Sequence, residues 1–531
     1  MREHPRDDES LLLTLASFLA PTQIPLDLLR RGASARNRWG TNGDIQSRDS
    51  RADPSLRSLL ADSTRLLRAL DKLCQSGAAM VTDNDTFKID QHVSLEVQQH
   101  LSDKEVASWK KQAMIVAYSA LSWKYIEPSM PASKSFLPHL KFTLEGYGTD
   151  ASDLSPDIKT DLLLTLAEAI RLPGMPWKRF AIAHARELYL NVEDPYVDAC
   201  LRERESLVSR ISAKQDQAVA VLGSPSAKSP DDDRRMHAAG GFMAIQSALN
   251  SMQVEELEEA KRRLNEWEPV SEQPSPMEQV VLFRKHSLLG KALRYEGRFA
   301  EAEHQLLTAQ GIADRYKSEL NFDEDTRDLA SNYADTLREL EQLDKTEEYL
   351  RLRIQEADLA TRSSLEVSLA ECLFARGVEA QRLTSEHSAL DAARELCVGL
   401  QSRTSLLKYE RLRVHITLAK TCFVQHDYQE ALDLFSTSMR EMGFFARTNG
   451  FATRALIRSM VHTLNHLDSG KGNEDSALMH VKQQSLDQLA SLEKLAAPGA
   501  MLHWIPGLRK WETYLEREDG GPKGVVTRSR M

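Results

Sequence analysis

The chain of 531 residues carries 68 basic and 78 acidic side chains, a formal net charge of −10, and it is 41% hydrophobic and 6% aromatic. Its length predicts two or more domains with room for a large core, and its many Leu, Ala, Glu and Arg residues favour a mainly α fold. The small charge excess, without a polybasic tail or an acidic block, gives no indication of a nucleic-acid or membrane ligand.

The N-terminus and the cysteines indicate the compartment. Residues 1–8 are too charged for a signal peptide, and the apolar run Leu11–Ala20 is too short to span a bilayer. The five cysteines are scattered and include no CxxC pair, which is typical of a reducing compartment. We therefore expect a cytoplasmic protein without a membrane partner, with a nuclear location as the alternative.

Residues 1–150 are predicted to form a winged-helix-like domain. Apolar spacing predicts a helix over Leu11–Leu19, a short helix over Leu26–Leu29 and a long amphipathic helix over Leu56–Cys74. The polar stretch near 32–55, rich in Gly, Asn, Asp and Ser, is predicted to be an exposed insertion. The runs 78–81 and 86–89 flank a turn sequence and predict a β-hairpin, followed by helices over 92–101 and 104–125.

The hairpin region carries a resemblance to a known family. The run Phe87–Val93 and the later Phe136-Leu137-Pro138-His139-Leu140 resemble the winged-helix segment that follows the nucleotide-binding domain in fungal NLR-type (STAND) ATPases, over about residues 10–145. That family usually has a nucleotide-sensing histidine where this chain has Asp90, with His92 two residues later. The resemblance therefore implies a relative of these ATPases that lacks the nucleotide-binding domain and does not sense nucleotide.

Residues 151–222 are predicted to be a helical connector or degraded repeats, with helices over 162–170, 180–189 and 195–213. A linker follows at 223–235, and a second break lies at 268–276. The run Gly223–Ser229 is the nearest approach to a phosphate-binding loop. It is one residue short, has Ala227 in place of the second glycine, and continues into Pro230. We predict a flexible linker there and no nucleotide cofactor.

A helix-pair repeat occupies residues 286–440. In its two clearest copies a small residue, Gly290 or Ala419, precedes an alanine, Ala302 or Ala431, by twelve positions, and a large apolar residue follows four later. Small residues at this interval allow two antiparallel helices to approach closely. Two weaker copies place their anchors at Thr346 and at position 392, so that the anchors at 302, 346, 392 and 431 are separated by 44, 46 and 39 residues.

This pattern resembles the tetratricopeptide repeat, and its long spacing resembles that of kinesin-light-chain-like arrays. The fungal STAND ATPases commonly continue from the winged helix into such repeats, as this chain does. We predict a mainly α protein in which the winged-helix-like domain is followed by an α-solenoid of tetratricopeptide-like helix pairs over 236–515. The pair Ala452–Leu467 and Ala477–Leu495 is predicted to cap the array, and residues 516–531 are predicted to be a frayed tail.

No residue pattern predicts catalysis or metal binding. His462 and His466 lie one helical turn apart and could hold zinc, but Thr463 stands where a metalloprotease has glutamate, and a third ligand is missing. The chain has no G-x-S-x-G motif and no Cys/His spacing that indicates a nucleophile, and its carboxylates lie on charged helix faces. We predict that the protein is not an enzyme and has no cofactor.

Nucleic-acid binding remains the alternative function, because winged helices often read DNA. Residues 26–75 contain ten Arg or Lys and six Asp, and Arg65, Arg68 and Lys72 share one helix face. The same helix carries Asp62 and Asp71, and the winged helices of the STAND family pack against neighbouring domains. The alternative protein is a transcriptional regulator whose repeat array senses an effector or partner.

The favoured function is a non-catalytic scaffold or regulator that binds a protein or peptide along the concave face of the array, lined by the first helix of each pair. The spacing places two basic ends around an acidic middle (Asp328, Asp335, Glu339), which would favour a partner of complementary charge. A merely solvated helix surface is the alternative. The predicted partner-binding residues are Arg284, Lys291, Arg294, Tyr295, Asp335, Arg413, Lys420 and Phe423.

Overall fold

The computed structural model describes residues 7–83, 85–128, 133–148, 152–190, 192, 194–223, 233–357, 362–383, 388–404, 406–445, 450–470, 476–495 and 501–518. Over these residues it has 24 helices and five short strands, so the mainly α prediction is confirmed. The chain divides into two compact units: unit 1 is Met1–Gln246, Trp267–Val281 and Tyr316–Asp323, and unit 2 is Ser247–Glu266, Leu282–Arg315 and Glu324–Met531. In the described part of the chain no helix is long and apolar enough to cross a membrane.

The first eleven helices and all five strands belong to unit 1. In chain order they are α1 (Asp8–Ser17), β1 (Ile24–Pro25), α2 (Leu26–Ala33), β2 (Arg36–Trp39), β3 (Ile45–Arg48), α3 (Pro54–Ala61), α4 (Ser63–Gln75), β4 (Ala79–Asp83), β5 (Thr86–Ile89), α5 (Gln91–Gln99), α6 (Asp103–Ser119), α7 (Ser133–Tyr147), α8 (Pro156–Ala169), α9 (Met175–Tyr189), α10 (Pro195–Ile211) and α11 (Gln215–Leu222).

The predicted hairpin is present as β4 and β5. The two strands pair antiparallel, with Val81 opposite Phe87, and β1 adds a third strand on the other side of β5. Phe87 is completely buried, and its strand packs against α1. Along β5 the side chains alternate, with Phe87 and Ile89 buried and Lys88 between them exposed, as expected of a strand with one covered face.

The stretch near 32–55, predicted to be an exposed insertion, is instead partly buried. It forms the antiparallel pair β2 and β3, in which Arg38 pairs with Gln46. The Arg38 side chain is buried, its Nε donates to Asp161 at 2.6 Å, and its guanidinium lies 4.4 Å from the ring of Trp123. The exposure prediction failed because ion pairs to distant residues bury this polar segment, and hydrophobic patterning does not record such pairs.

The single helix predicted over Leu56–Cys74 is also wrong. The helix breaks at Asp62, whose backbone is extended and whose carboxylate accepts the backbone N–H groups of Thr64 and Arg65. An aspartate that caps a helix in this way ends one helix and begins the next. The apolar stripe runs across both α3 and α4, which is why the periodicity concealed the break.

Asp90, which replaces the sensing histidine of the resembling family, has a structural role. It precedes α5, and its Oδ1 accepts the backbone N–H of His92 at 2.8 Å and of Val93 at 3.3 Å. These are the bonds of a helix N-cap. The His92 side chain is exposed.

The thirteen remaining helices of the described residues form six successive pairs followed by a single last helix. They are α12 (Arg234–Gln253), α13 (Leu257–Asn265), α14 (Pro276–Glu296), α15 (Phe299–Tyr316), α16 (Asp323–Glu339), α17 (Leu343–Glu356), α18 (Ser363–Leu383), α19 (Ser388–Gln401), α20 (Lys408–Val424), α21 (Tyr428–Met442), α22 (Phe451–Gly470), α23 (Ser476–Leu495) and α24 (Leu508–Glu518). The four predicted repeats correspond to α14–α15, α16–α17, α18–α19 and α20–α21.

Three of these four pairs share one turn geometry. A residue one or two positions after the end of the first helix has a positive φ: +87° at Gly297, +64° at Glu341 and +64° at His426. The next backbone N–H then donates to a carbonyl five residues earlier, as Asp427 does to Cys422 at 2.8 Å. This is the Schellman arrangement, which satisfies the carbonyls at the end of a helix and reverses the chain.

The small residues of the repeat allow close packing, as predicted. A Cβ built on Gly290 would lie 2.6 Å from Leu306 Cγ and 3.2 Å from the Ala302 carbonyl oxygen. Ala302, Leu306 and Ala431 are completely buried. Most of the predicted linker (224–232), residues 471–475 between the two predicted cap helices and residues 519–531 of the predicted tail lie outside the described residues. Residues 516–518 belong to α24.

Candidate interaction surface

Residues 501–518, which we call the C-terminal segment, lie along the first helices of the pairs in unit 2. The segment consists of a loop, 501–507, and α24. We call the surface of α14, α16, α18 and α20 that it covers the first-helix face. This surface is the one predicted to bind a partner, and here residues of the same chain lie against it.

The loop of the C-terminal segment is held by hydrogen bonds to α14 and α20. The backbone N–H of His503 donates to the Tyr295 carbonyl at 3.1 Å, and Arg294 Nη1 donates to the His503 carbonyl at 2.9 Å. The Tyr409 hydroxyl donates to the Trp504 carbonyl at 2.6 Å. All three bonds involve the backbone of the segment, and the Trp504 ring adds a side-chain contact to Tyr409, at 5.5 Å between ring centroids.

At the middle of the face, α16 binds the turn into α24. Glu339 accepts the backbone N–H of Gly507, and Lys510 Nζ donates to the carbonyls of Arg338 and Glu339, at 3.3 and 3.0 Å. These carbonyls lie at the C-terminal end of α16, where the helix dipole favours a cation. Lys510 therefore serves as a positively charged cap for that helix.

Trp511 is the apolar anchor of the segment. Its ring lies 5.4 Å from the Phe423 ring, 6.1 Å from the Phe374 ring and 5.1 Å from the Tyr514 ring, centroid to centroid. Its Nε1 donates to Ser459 Oγ at 2.8 Å, and only 2% of the residue is exposed. Ile505, Leu508 and Leu515 join the same apolar cluster, so the segment buries a continuous stripe.

Beneath the segment lies a network of buried charges. Arg413 Nη2 lies 2.8 Å from Asp335 Oδ1 and 2.6 Å from Glu371 Oε2, and Arg338 also binds Glu371. All four side chains are at most 5% exposed. Burial alone would raise the pKa of Glu371, but the guanidinium groups of Arg413 and Arg338 outweigh it and lower that pKa to about 2. Asp335, one of the three residues of the predicted acidic middle, is therefore neutralised within the protein.

A cavity of about 450 Å³ opens between this network and α24. Phe374, Trp511 and Tyr514 supply apolar walls, and Arg338, Glu371 and Lys420 are among its polar lining. Lys420 is 2% exposed, and its Nζ lies 4.8 Å from the centroid of the Phe374 ring. Within the described ranges no hydrogen bond or ion pair reaches that ammonium group. Burial lowers the pKa of Lys420 to about 8.

Lys420 predicts a specific pH dependence. Above about pH 8 the folded protein releases this proton while the unfolded chain, with a pKa near 10.5, retains it, so the free energy of unfolding rises with pH. Compared with a Lys420→Met variant, the wild type should gain about 1 kcal/mol between pH 8 and 9. Urea midpoints of both proteins across this range measure the gain. The groups facing Lys420 are Glu371, Arg338, Glu339 and the Cys397 thiol, and both proteins contain all of them. A wild-type-minus-variant difference that does not change with pH would contradict the prediction.

The structure places the predicted site residues in several different environments. Arg294, Tyr295 and Phe423 contact the C-terminal segment, and Lys420 lines the cavity beside it. Asp335 and Arg413 lie in the buried ion network. Lys291 pairs with Asp328 at 3.3 Å, and Arg284 is half-buried on α14. The assignment of these residues to partner binding stays a prediction.

Sequence reasoning missed the C-terminal segment itself, and with it Tyr409 and Glu371. A signal was present, because Trp504, Trp511 and Tyr514 lie within eleven residues of a chain with only 6% aromatic residues. Repeat spacing could not reveal it, since the segment is not a helix pair. Glu371 carried no signal, because its importance depends on Arg338 and Arg413, which come from other helices.

Two other candidate sites are occupied by ion pairs. Cys422, Asp427 and Glu430 approach within 4.8 Å of one another, but Arg394 binds both carboxylates, so the group is explained as a salt bridge.

On the basic face of α4, two of the three predicted cations are paired with α1. Arg65 lies 2.6 Å from Asp8 and Lys72 lies 2.5 Å from Glu9. These pairs reduce the positive charge available for phosphate contacts.

No family model and no curated protein matches the sequence. A comparison of structures does find a likeness. The fold is similar to that of a STAND protein. That protein, from Pyrococcus horikoshii, is described as a signal transduction ATPase with numerous domains with a tetratricopeptide repeat sensor. Its structure aligns with 96% of this chain, with a TM-score of 0.52 and 13% sequence identity. The alignment covers 65% of the length of the archaeal chain. At this identity the likeness concerns the fold, and it agrees with the helix-pair repeats seen here.

Proposed function

We propose that this protein is a non-catalytic scaffold or regulator whose tetratricopeptide-like array binds a segment of a partner protein along the first-helix face. In this proposal residues 1–150 form the winged-helix-like head that the family resemblance implies, and the repeats serve as the sensor. The observation that carries the proposal is that the face already holds a loop and a helix, the C-terminal segment, through backbone hydrogen bonds and a tryptophan anchor.

The contacts that the C-terminal segment makes with the face indicate which groups a partner segment must supply. The face offers Arg294 and the Tyr409 hydroxyl to backbone carbonyls, and Glu339 to a backbone N–H. Beyond them lies the aromatic environment of Trp511. A partner segment should therefore supply a bulky aromatic residue on one helix face and a short loop before the helix, which is the helix-in-groove form of recognition. The partner must displace the C-terminal segment to bind.

A peptide of residues 501–518 labelled with fluorescein tests the proposal on the full-length protein. In the wild type the chain's own segment competes at the high effective concentration of a tethered ligand, so we expect weak uptake of the peptide. Trp511→Ala in the full chain weakens this competitor, and we expect the affinity for the labelled peptide to rise about tenfold or more. Fluorescence anisotropy measures both affinities.

Two controls accompany this experiment. A peptide carrying Trp511→Ala should bind neither protein, and adding Glu339→Gln to the Trp511→Ala protein should reduce uptake of the unmodified peptide. Circular dichroism must establish that both variants keep their helix content. If the folded Trp511→Ala protein takes up the peptide no better than the wild type, the face is not an exchangeable binding site and the proposal is wrong.

A further inference from the structure

The cavity between α16, α18, α20 and α24 has the features of a small-molecule site. Its volume of about 450 Å³ lies within the range typical of ligand pockets, which are largely apolar with a few convergent polar groups. Its aromatic walls come from Phe374, Trp511 and Tyr514, and the last two rings are stacked with an interplanar angle of 10°. A flat apolar group would lie well against such walls.

The polar feature of the cavity that indicates a ligand is the buried ammonium group of Lys420. Buried ammonium groups are normally paired, because an isolated charge in a protein interior is costly. Asp335 and Glu371 are instead bound by Arg413, and Glu371 by Arg338 as well. Lys420 is left with the weak attraction of the Phe374 ring and a place in the cavity wall. Among the described residues it is the buried cation in this network without an ion pair.

We propose that this cavity binds a small monoanionic molecule with a flat apolar body, such as an aromatic carboxylate, whose charge is neutralised by Lys420. The charged side chains around the cavity restrict the class further. Four glutamates (Glu339, Glu341, Glu371, Glu379) line it together with five basic residues (Arg338, Arg382, Lys420, Lys510, Arg517), and an excess of one positive charge suits a ligand with one negative charge. A carboxylate at Lys420 places the aromatic body towards Trp511.

The position of the cavity gives the ligand a regulatory consequence. Its walls come partly from the first-helix face and partly from the C-terminal segment, so a bound molecule contacts both. Binding would therefore hold the segment in place. This consequence depends on the proposed function above, whereas the binding of the anion does not.

Isothermal titration calorimetry of the full chain with 2-naphthoate and its neutral analogue 2-naphthamide tests the proposal. We expect the wild type to bind the carboxylate at least about tenfold more tightly than the amide, since a hydrogen bond to a charged group is the stronger kind. In Lys420→Met this preference should disappear. Lys408→Met, which removes an exposed lysine from the same helix, should keep it.

The outcomes that overturn the proposal are equally definite. They are the absence of binding by 2-naphthoate, equal affinities for the carboxylate and the amide, and a preference that Lys420→Met leaves unchanged. The Lys420→Met protein should fold, because replacing a buried charge by an apolar side chain of similar length is tolerated, and its thermal midpoint serves as the check. If 2-naphthoate binds through Lys420 while the Trp511→Ala protein does not take up the 501–518 peptide, the anion site is supported and the proposed function is wrong.

Discussion

Arg413→Met is expected to lower the free energy of unfolding of the protein by about 3–5 kcal/mol, because removing one partner of a buried ion pair leaves the other charges uncompensated. Arg413 binds Asp335 and Glu371 on two other helices, and all three side chains are at most 4% exposed. Without it, the two carboxylates share Arg338 alone. Urea denaturation followed by circular dichroism measures the loss.

A matched substitution tests whether burial is the cause. Arg351 also binds a carboxylate, that of Glu347 at 2.7 Å, but its side chain is 57% exposed. Arg351→Met should change stability by less than about 0.5 kcal/mol, since exposed ion pairs contribute little. Equal losses in Arg413→Met and Arg351→Met would mean that the buried network does not stabilise the array in the way its geometry indicates.

Trp511→Ala is expected to destabilise the protein by about 3–5 kcal/mol, the usual cost of removing a large buried aromatic side chain. The variant loses the contacts to Phe374 and Phe423 and the hydrogen bond to Ser459. Because these are the main apolar contacts of α24, the loss should fall on the C-terminal segment first. Trypsin cleavage after Lys510, whose ammonium now binds two carbonyls of α16, should become faster.

Two variants show whether this effect is local. Trp511→Phe keeps the apolar anchor and should lose only about 1 kcal/mol, the contribution of one hydrogen bond. Trp177→Ala removes a tryptophan of unit 1 that is also buried and also donates to a backbone carbonyl, that of Ala169. It should not accelerate cleavage after Lys510. Equal acceleration in both alanine variants would contradict a local role for Trp511.

Each repeat could be predicted from a few residues. Gly290 and Ala302 indicated a close approach of two helices, because helices can pack so closely only where one of them carries no side chain. Asp62 could have been recognised as a helix cap, since Asp before Ser-Thr-Arg is a common helix start. The stronger apolar stripe concealed it. Arg38 could not have been predicted to be buried, because its partner Asp161 lies 123 positions away in the chain.

The sequence by itself determined the helix pairs, their turns and the first-helix face, because these follow from interactions between residues close in the chain. Only the tertiary structure decided which segment covers that face and which ion pairs its charged side chains form. The C-terminal segment reaches Arg294 from 209 positions away, and Arg413 reaches Asp335 from 78. Contacts over such distances leave no periodic trace in the sequence, since they depend on how the helix pairs stack. Lys420 belongs to the predicted face. Its burial without an ion pair can be seen only in the tertiary structure, because there the carboxylates of Asp335 and Glu371 are bound by arginines.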